Sequence, residues 1–122
     1  MRAFESLRGR REFALVMRRG KAGSAQTLTV FGFVPRGTPP QRTKVGIVIP
    51  KTVGTAVDRN RLRRRCKAIL DRQKFRAPYR WYVIHCRPGA AGLTFEELHA
   101  HLSGALARAG DTRPVRPAKG RT

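Results

Sequence analysis

The hydrophobic positions of this chain recur with two different periods, and the two periods distinguish helices from strands. In residues 10–19 the apolar side chains are spaced three and four positions apart, which predicts a short first helix. Gly20 follows where a helix C-terminus favours a left-handed residue. Residues 27–34 instead alternate β-branched and aromatic side chains, so they predict a strand that carries Phe31 and Phe33 on one face.

Two more strands are predicted from β-branched and aromatic residues, at 44–49 and 80–87. The glycine and prolines of residues 35–42 break the pattern and predict a loop before the first of them. Residues 51–54 are also expected to be loop. Three strands are therefore visible in the sequence.

Two longer helices are predicted from the residues at their N-termini. Thr55 is suited to be the N-cap of a helix that runs to about residue 72. Thr94 and Glu97 have the spacing of a capping box, and an apolar stripe continues from there until Gly110. The predicted order is helix, strand, strand, helix, strand, helix, which indicates an α+β fold with helices packed on a sheet.

The chain is long enough for one domain with its own core, and we place that domain at residues 1–110. Residues 111–122 are basic and proline-rich and have no apolar periodicity, so they are expected to form a disordered C-terminal tail.

The net charge of the chain indicates that its partner is a polyanion. The sequence contains 27 Lys and Arg but only 7 Asp and Glu, a formal charge of +20 on 122 residues. Such an excess opposes folding by self-repulsion, whereas phosphates neutralise it and release counterions. RNA or DNA is the first expectation and an anionic membrane the second. The absence of a long apolar stretch and of a secretory signal predicts a cytoplasmic protein without a membrane partner.

The sequence offers no evident catalytic or metal-binding group. Cys66 and Cys86 are expected to be buried thiols. His85 lies in a predicted strand, and His99 and His101 are two apart on a helix, so these residues do not form a metal cluster. No paired acid and base or activated nucleophile is apparent, and we assign no catalytic residue.

The strongest local signal is a run of cations in the second predicted helix. Asn60, Arg63, Arg64 and Lys67 are spaced so that they form one polar stripe, while Leu62 and the apolar residues that follow it form another face. An ordinary solvated face would mix charges of both signs. This run has six cations between positions 59 and 67 and no acid, which favours a phosphate-binding surface.

The same region resembles the bacterial ribonuclease P protein family. The resemblance lies in the glycine-containing strand KVGIVIPK at 44–51, the passage VGTAV at 53–57, and the Arg-Asn-x-x-basic-Arg pattern RNRLRR at 59–64. It extends over roughly residues 5 to 110. Met17 and Lys67 depart from the residues most usual in the family.

The resemblance implies an α/β sandwich with a small mixed sheet of about four strands, three helices and a left-handed crossover. It implies that a basic helix faces the catalytic RNA, and that a cleft between the sheet and the first helix holds the 5′ leader of precursor tRNA. On this basis the RNA-binding residues are Lys51, Arg59, Asn60, Arg61, Arg63, Arg64 and Lys67, and the leader-binding residues are Phe13, Met17 and Phe31.

The implied activity is endonucleolytic removal of the 5′ leader by the holoenzyme, with the catalytic site in the RNA. Mg²⁺ would then act through the catalytic RNA, without ligands from this chain, and no protein partner would be required. Independently of the resemblance, Phe13 and Phe31 suit sequence-tolerant stacking on unpaired bases, although aromatic residues in such a pattern are more often core.

Two other functions fit a small basic protein. A ribosomal or other structural RNA-binding protein would lack a substrate cleft. A DNA-binding module would insert the basic helix into a major groove, but the sequence shows no helix-turn-helix partner for it.

Overall fold

The computed structural model describes residues 3–35, 37, 42–75 and 79–110. The helices and strands, in chain order, are β1 (Glu5–Ser6), α1 (Arg10–Arg19), β2 (Lys21–Ser24), β3 (Leu28–Phe33), β4 (Lys44–Val48), α2 (Ala56–Arg72), β5 (Trp81–Cys86) and α3 (Phe95–Arg108). Short 3₁₀ turns occupy Lys51–Val53 and Ala90–Gly92. The α+β class is confirmed, and the sequence-predicted helices match closely.

The five strands of the described residues belong to one mixed sheet, in the order β1-β4-β5-β3-β2. The pairs β1–β4 and β4–β5 are parallel, while β3 pairs antiparallel with β5 and with β2. The strand count exceeds both the three seen in the sequence and the four implied by the resemblance. Strands β4 and β5 are parallel and are joined by a connection that contains helix α2. The resemblance implies that this crossover is left-handed, and its handedness stays a prediction.

Helices α2 and α3 cover one face of the sheet and build the main core with it. The buried side chains of this layer are Leu28, Val30, Val45, Tyr82, Ile84 and Cys86 from the sheet, Leu62, Cys66, Ile69 and Leu70 from α2, and Leu98, Leu102, Ala105 and Leu106 from α3. Each buried Val, Leu or Ile side chain of this layer stabilises the fold by about 1.5 to 3 kcal/mol.

Helix α1 lies on the opposite face and covers a smaller core. Val16 is fully buried there with Val83 and Leu7, and the partly buried rings of Phe13, Phe31, Phe33 and Trp81 surround them. The molecule is therefore a three-layer arrangement in which the sheet separates α1 from α2 and α3. Among the described residues, α1 is the one helix on this face, and part of the face remains accessible beside it.

Three local predictions need correction. Gly20 is extended, with φ −75°, and not left-handed. Glycine is required there for space, because a Cβ atom would lie 2.4 Å from the Val16 carbonyl oxygen and 3.0 Å from that of Gly32. Residues 51–53, expected to be loop, form a 3₁₀ turn held by the Val53 amide donating to the Pro50 carbonyl at 3.0 Å. The observed strands β3, β4 and β5 are each one residue shorter than predicted, at one or both ends.

The two cysteines are free and fully buried between α2 and the sheet, as predicted. A hydrogen bond with Cys86, together with burial, raises the pKa of the Cys66 thiol well above its ordinary value. Both side chains therefore act as small core residues.

None of the described helices is long and apolar enough to cross a membrane. The predicted tail, residues 111–122, lies outside the described residues.

Candidate nucleic-acid interface

The N-terminus of α2 is fixed by a reciprocal capping box. The Asp58 amide donates to Thr55 Oγ1 at 3.1 Å, and the Thr55 amide donates to Asp58 Oδ2 at 3.1 Å. The second of these hydrogen bonds is the main cause that lowers the pKa of Asp58. The box positions the basic run that follows within the next two turns of the helix.

The buried residues of α2 lie on one side and leave the basic run on the other. Asn60, Arg61 and Arg64 are exposed, and no described residue accepts a hydrogen bond from their side chains. Lys51, in the 3₁₀ turn before the helix, is also exposed. These side chains are available to an external anion.

Three other arginines of α2 donate to backbone carbonyls. Arg59 Nε donates to Gly54 at 3.3 Å, Arg63 Nη1 to Ile47 at 3.0 Å and Arg65 Nη1 to Leu93 at 3.1 Å. Arg63 and Arg65 thus anchor the two flanks of the helix to β4 and to the segment before α3. The sequence shows these arginines as equivalent cations, but the structure gives some of them a packing role as well.

On the other face of the sheet, the ring of Phe13 rests directly on the backbone of β4. A Cβ atom at Gly46 would lie 2.2 Å from Phe13 Cζ, so only glycine at this position permits the contact. Helix α1 itself has no side-chain cap, but Glu12 Oε1 accepts a hydrogen bond from the Arg8 amide at 2.9 Å. The aromatic ring and the glycine of β4 are therefore parts of one packing unit.

This contact places Phe13 beside the basic helix. A notch of about 140 Å³ opens where β1 ends, and Phe13, Gly46, Ile47, Arg63 and Lys67 all contribute to its lining. Strand β1 pairs with β4 at Lys44 and Val45, and no described strand covers the edge of β4 beyond them. Two residues predicted to bind catalytic RNA and one predicted to bind the leader thus meet at one edge of the sheet.

The remaining predicted leader-binding residues flank the same region. Phe31 is partly buried in the small core with Phe13. Met17 is 37% exposed and lies on the same flank of α1 as Phe13. Val48 and His85 occupy paired positions on the same sheet face, one pleat beyond Gly46 and Val83. The structure brings these side chains to one surface, and their contact with RNA stays a prediction.

The other flank of α1 borders a larger groove of about 640 Å³, lined by Leu15, Arg19, Phe33, Val34 and Pro35. The Phe33 ring packs against the small core and also lines this groove.

Arg87, which has no role predicted from the sequence, is a structural residue. The Arg87 guanidinium donates to the Ala25 and Leu28 carbonyls and to Thr29 Oγ1, which ties the turn between β2 and β3 to the end of β5. The position of Arg87 just after a strand does not predict this structural role, because the acceptors are about 60 residues away in the chain.

Comparison with known proteins gives a consistent result. A family model described as Ribonuclease P matches residues 1–110. The chain is 34% identical over 106 residues to the ribonuclease P protein component of Thermobifida fusca, covering 82% of this chain and 72% of that protein. It is 36% identical over 110 residues to that of Beutenbergia cavernae, covering 88% and 90%.

Solved structures share the fold. The RNase P protein of Staphylococcus aureus superposes with a TM-score of 0.78 at 18% identity, over 88% of this chain and 97% of that chain. The RNase P protein of Thermotoga maritima gives a TM-score of 0.71 at 25% identity, over 85% and 96%.

Proposed function

This chain belongs to the ribonuclease P protein family, and from that premise we propose how it contributes to removal of the 5′ leader from precursor tRNA. As a member of the family it is a subunit of ribonuclease P that takes part in tRNA 5′ processing. We propose that the exposed cations of α2 bind the catalytic RNA and that the α1 face of the sheet holds the leader.

The observation that carries the proposal is the notch at the edge of β4. Phe13 approaches from the α1 face, and Arg63 and Lys67 approach from α2, so an aromatic ring and two cations line the same 140 Å³ space. Stacking surfaces combined with cations are the usual means of binding single-stranded RNA without sequence preference. A leader of variable sequence needs this kind of recognition.

The exposed residues of α2 support the other half of the proposal. Asn60, Arg61 and Arg64 are exposed, and their side chains donate no hydrogen bond to the described part of the chain, although the charge of Arg61 helps to lower the pKa of Asp58. Arginine binds phosphate through two parallel hydrogen bonds, which fixes orientation as well as adding affinity. This face suits a folded RNA whose backbone presents several phosphates at once.

We further propose that the reactive site lies in the RNA and that Mg²⁺ acts there. Among the described residues, no three His, Cys, Asp or Glu side chains come together in a way that could hold a metal ion. In this proposal the chain contributes binding energy and orientation, while Mg²⁺ held by the RNA would supply the Lewis-acid chemistry of the cleavage. A ribosomal or purely structural RNA-binding role is not favoured, since the matching family and relatives are ribonuclease P proteins.

Reconstitution tests the proposed function. The chain is mixed with a bacterial ribonuclease P RNA and a precursor tRNA at low Mg²⁺, and 5′ cleavage is followed against RNA alone. We expect the chain to restore cleavage that the RNA performs poorly under these conditions. Cleavage no faster than that of the RNA alone, with the protein folded and in excess, would remove the basis of the proposal.

A further inference from the structure

The two cysteines of the chain lie in the main core, between α2 and the sheet, and the proposed function uses neither of them. Cys66 belongs to the apolar face of α2, and Cys86 is the last residue of β5. Both are free thiols with 0% of their surface exposed, and both belong to the same buried cluster. They are the nucleophilic side chains of the core.

The two thiols are in contact across the boundary between the helix and the sheet. Cys66 and Cys86 share a side-chain hydrogen bond. Anchors on either side of Cys66 hold the helix in this position, because Arg63 Nη1 donates to a carbonyl of β4 at 3.0 Å and Arg65 Nη1 to a carbonyl of the segment between β5 and α3 at 3.1 Å. Two sulfur atoms held in contact need only a small adjustment to reach the length of a disulfide bond.

The surroundings of the pair make the two sulfur atoms unequal. The hydrogen bond with Cys66 lowers the pKa of Cys86, and the charges of Arg63 and Arg87 lower it further, although burial opposes them. The same hydrogen bond, together with burial, raises the pKa of Cys66. Because the thiolate is the reactive form of cysteine, Cys86 is the better nucleophile and Cys66 is the thiol that keeps its proton.

We propose that Cys66 and Cys86 form a reversible disulfide when the protein meets a hydroperoxide, and that this crosslink fastens α2 to β5. In the first step the Cys86 sulfur attacks one oxygen of hydrogen peroxide. A sulfur–oxygen bond forms, the oxygen–oxygen bond breaks, and the departing hydroxide takes up the proton that Cys86 released.

In the second step the Cys66 sulfur attacks the Cys86 sulfur. The disulfide forms, the sulfur–oxygen bond breaks, and the departing hydroxide leaves as water with the Cys66 proton. The two thiols have then lost two electrons, and the peroxide has been reduced to two molecules of water. This inference concerns the fold and does not rest on the proposed RNA-binding function.

The position of the pair determines what the crosslink does. A small uncharged peroxide reaches the core during local openings of the folded chain. A sulfenic acid formed there at Cys86 already touches Cys66, so it closes to a disulfide before it can be oxidised to the irreversible sulfinic acid. Both cysteines lie on the buried side of α2, so the crosslink leaves the exposed Asn60, Arg61 and Arg64 in place.

The test is mass spectrometry of the full chain after exposure to hydrogen peroxide. The folded, reduced protein is oxidised and then denatured in N-ethylmaleimide, which blocks every remaining thiol. We expect a monomer that is lighter by two hydrogen atoms, takes up no reagent and yields a crosslinked peptide pair with Cys66 and Cys86. Dithiothreitol should restore both thiols. The crosslinked monomer should melt about 10 °C higher, because the bond closes the loop of residues 66–86.

Variants without Cys66 test its role as the thiol that closes the disulfide. Cys66→Ala and Cys66→Val each leave Cys86 alone, so peroxide should carry Cys86 to the sulfinic acid, which dithiothreitol does not reverse. Peptide mapping of the wild-type chain needs neither variant to fold. Wild-type thiols that stay reduced, or crosslinks found only between chains, would overturn the inference. So would a crosslinked monomer that melts below the reduced chain or binds catalytic RNA more weakly.

Discussion

Arg63 and Arg64 are adjacent and look equivalent in the sequence, but they have different environments in the structure. Arg63 is partly buried and donates to the Ile47 carbonyl, whereas Arg64 is exposed and not engaged by any described residue. Helical spacing predicts that both lie on the polar stripe. It does not predict the anchor, because the acceptor is on a strand 16 residues away.

The difference leads to a prediction for these two residues. Arg64→Ala should weaken binding to catalytic RNA and lower the logarithmic salt slope by about 1, with an unchanged melting temperature. Arg63→Ala should also weaken binding but lose about 0.5 to 1.5 kcal/mol of stability with its hydrogen bond. Salt-dependent binding and thermal unfolding measure the two effects.

Arg72→Ala removes the same charge from the end of α2 and serves as control. Equal losses of RNA affinity in all three variants would indicate that only the net charge of the protein matters.

Gly46 provides a second prediction at the scale of one residue. In Gly46→Ala the new methyl group would lie 2.2 Å from Phe13 Cζ, so the ring must move away from β4. We expect a loss of about 1 to 3 kcal/mol of stability, typical of overpacking, and weaker capture of precursor tRNA.

The matched control is Gly92→Ala, because a Cβ atom at Gly92 meets nothing within 4 Å. Denaturant unfolding and precursor binding are measured for both variants. If Gly46→Ala is as stable as Gly92→Ala and binds precursor as well as the wild type, Phe13 does not rest on Gly46 as described.

At the scale of elements, the capping box of α2 connects fold stability to the basic face. Thr55→Ala removes the acceptor of the Asp58 amide and should cost about 1 kcal/mol. Because Arg59 lies in the first turn and donates to Gly54, fraying there should also weaken RNA binding. Thr52→Ala, exposed in the preceding turn, is the control for thermal unfolding, and equal melting temperatures for the two variants would argue against the box.

The same box predicts a pH dependence. The backbone hydrogen bond from Thr55 lowers the pKa of Asp58, so its contribution to stability is present above the unfolded-state pKa and is lost as pH falls through the folded-state value. The stability difference between wild type and Asp58→Asn should therefore shrink from about pH 6 to about pH 3. A difference independent of pH would show that the charge of Asp58 does not matter.

The elements also show which parts of the fold a sequence reveals. The helices α1, α2 and α3 were predicted nearly to the residue, because periodicity and caps are local. Strand β1 has only two residues, and it exists because Glu5 and Leu7 donate to carbonyls of the segment that contains β4. Strand β2 has the sequence KAGS, which carries no strand signal, and Gly23 lets it approach α3, where a Cβ atom would lie 2.3 Å from the Ala105 carbonyl oxygen.

The candidate functional residues also include some that the sequence indicates and some relations that it does not. The basic run and the aromatic residues could be identified from composition and spacing, and the family resemblance suggested their roles. The sequence does not show that these residues meet at the notch. Their meeting depends on β1 ending opposite Val45, just before Gly46, and on α1 and α2 lying on opposite faces of the sheet.

At the scale of the whole molecule, we expect charge to dominate association with RNA. A formal +20 predicts affinity that falls steeply with salt, by about 0.7 to 0.9 in the logarithmic slope for each phosphate neutralised. Binding to catalytic RNA measured between about 50 and 200 mM salt should give a slope of several units. A flat response would contradict an interface built on Arg64 and its neighbours.

The central claim is that one small protein uses two separable surfaces, the exposed face of α2 for catalytic RNA and the α1 face of the sheet for the leader. The direct measurement is the ratio of the affinities of the holoenzyme for precursor and mature tRNA, at saturating catalytic RNA. Phe13→Leu and Phe31→Leu should lower this ratio by about five-fold or more, since each removes a stacking face but keeps much of the apolar volume. Phe13→Ala and Phe31→Ala should do the same, but each risks about 3 to 5 kcal/mol of fold stability. Arg64→Ala should weaken assembly and leave the ratio unchanged. An unchanged ratio in folded Phe13→Leu and Phe31→Leu holoenzymes would contradict the account.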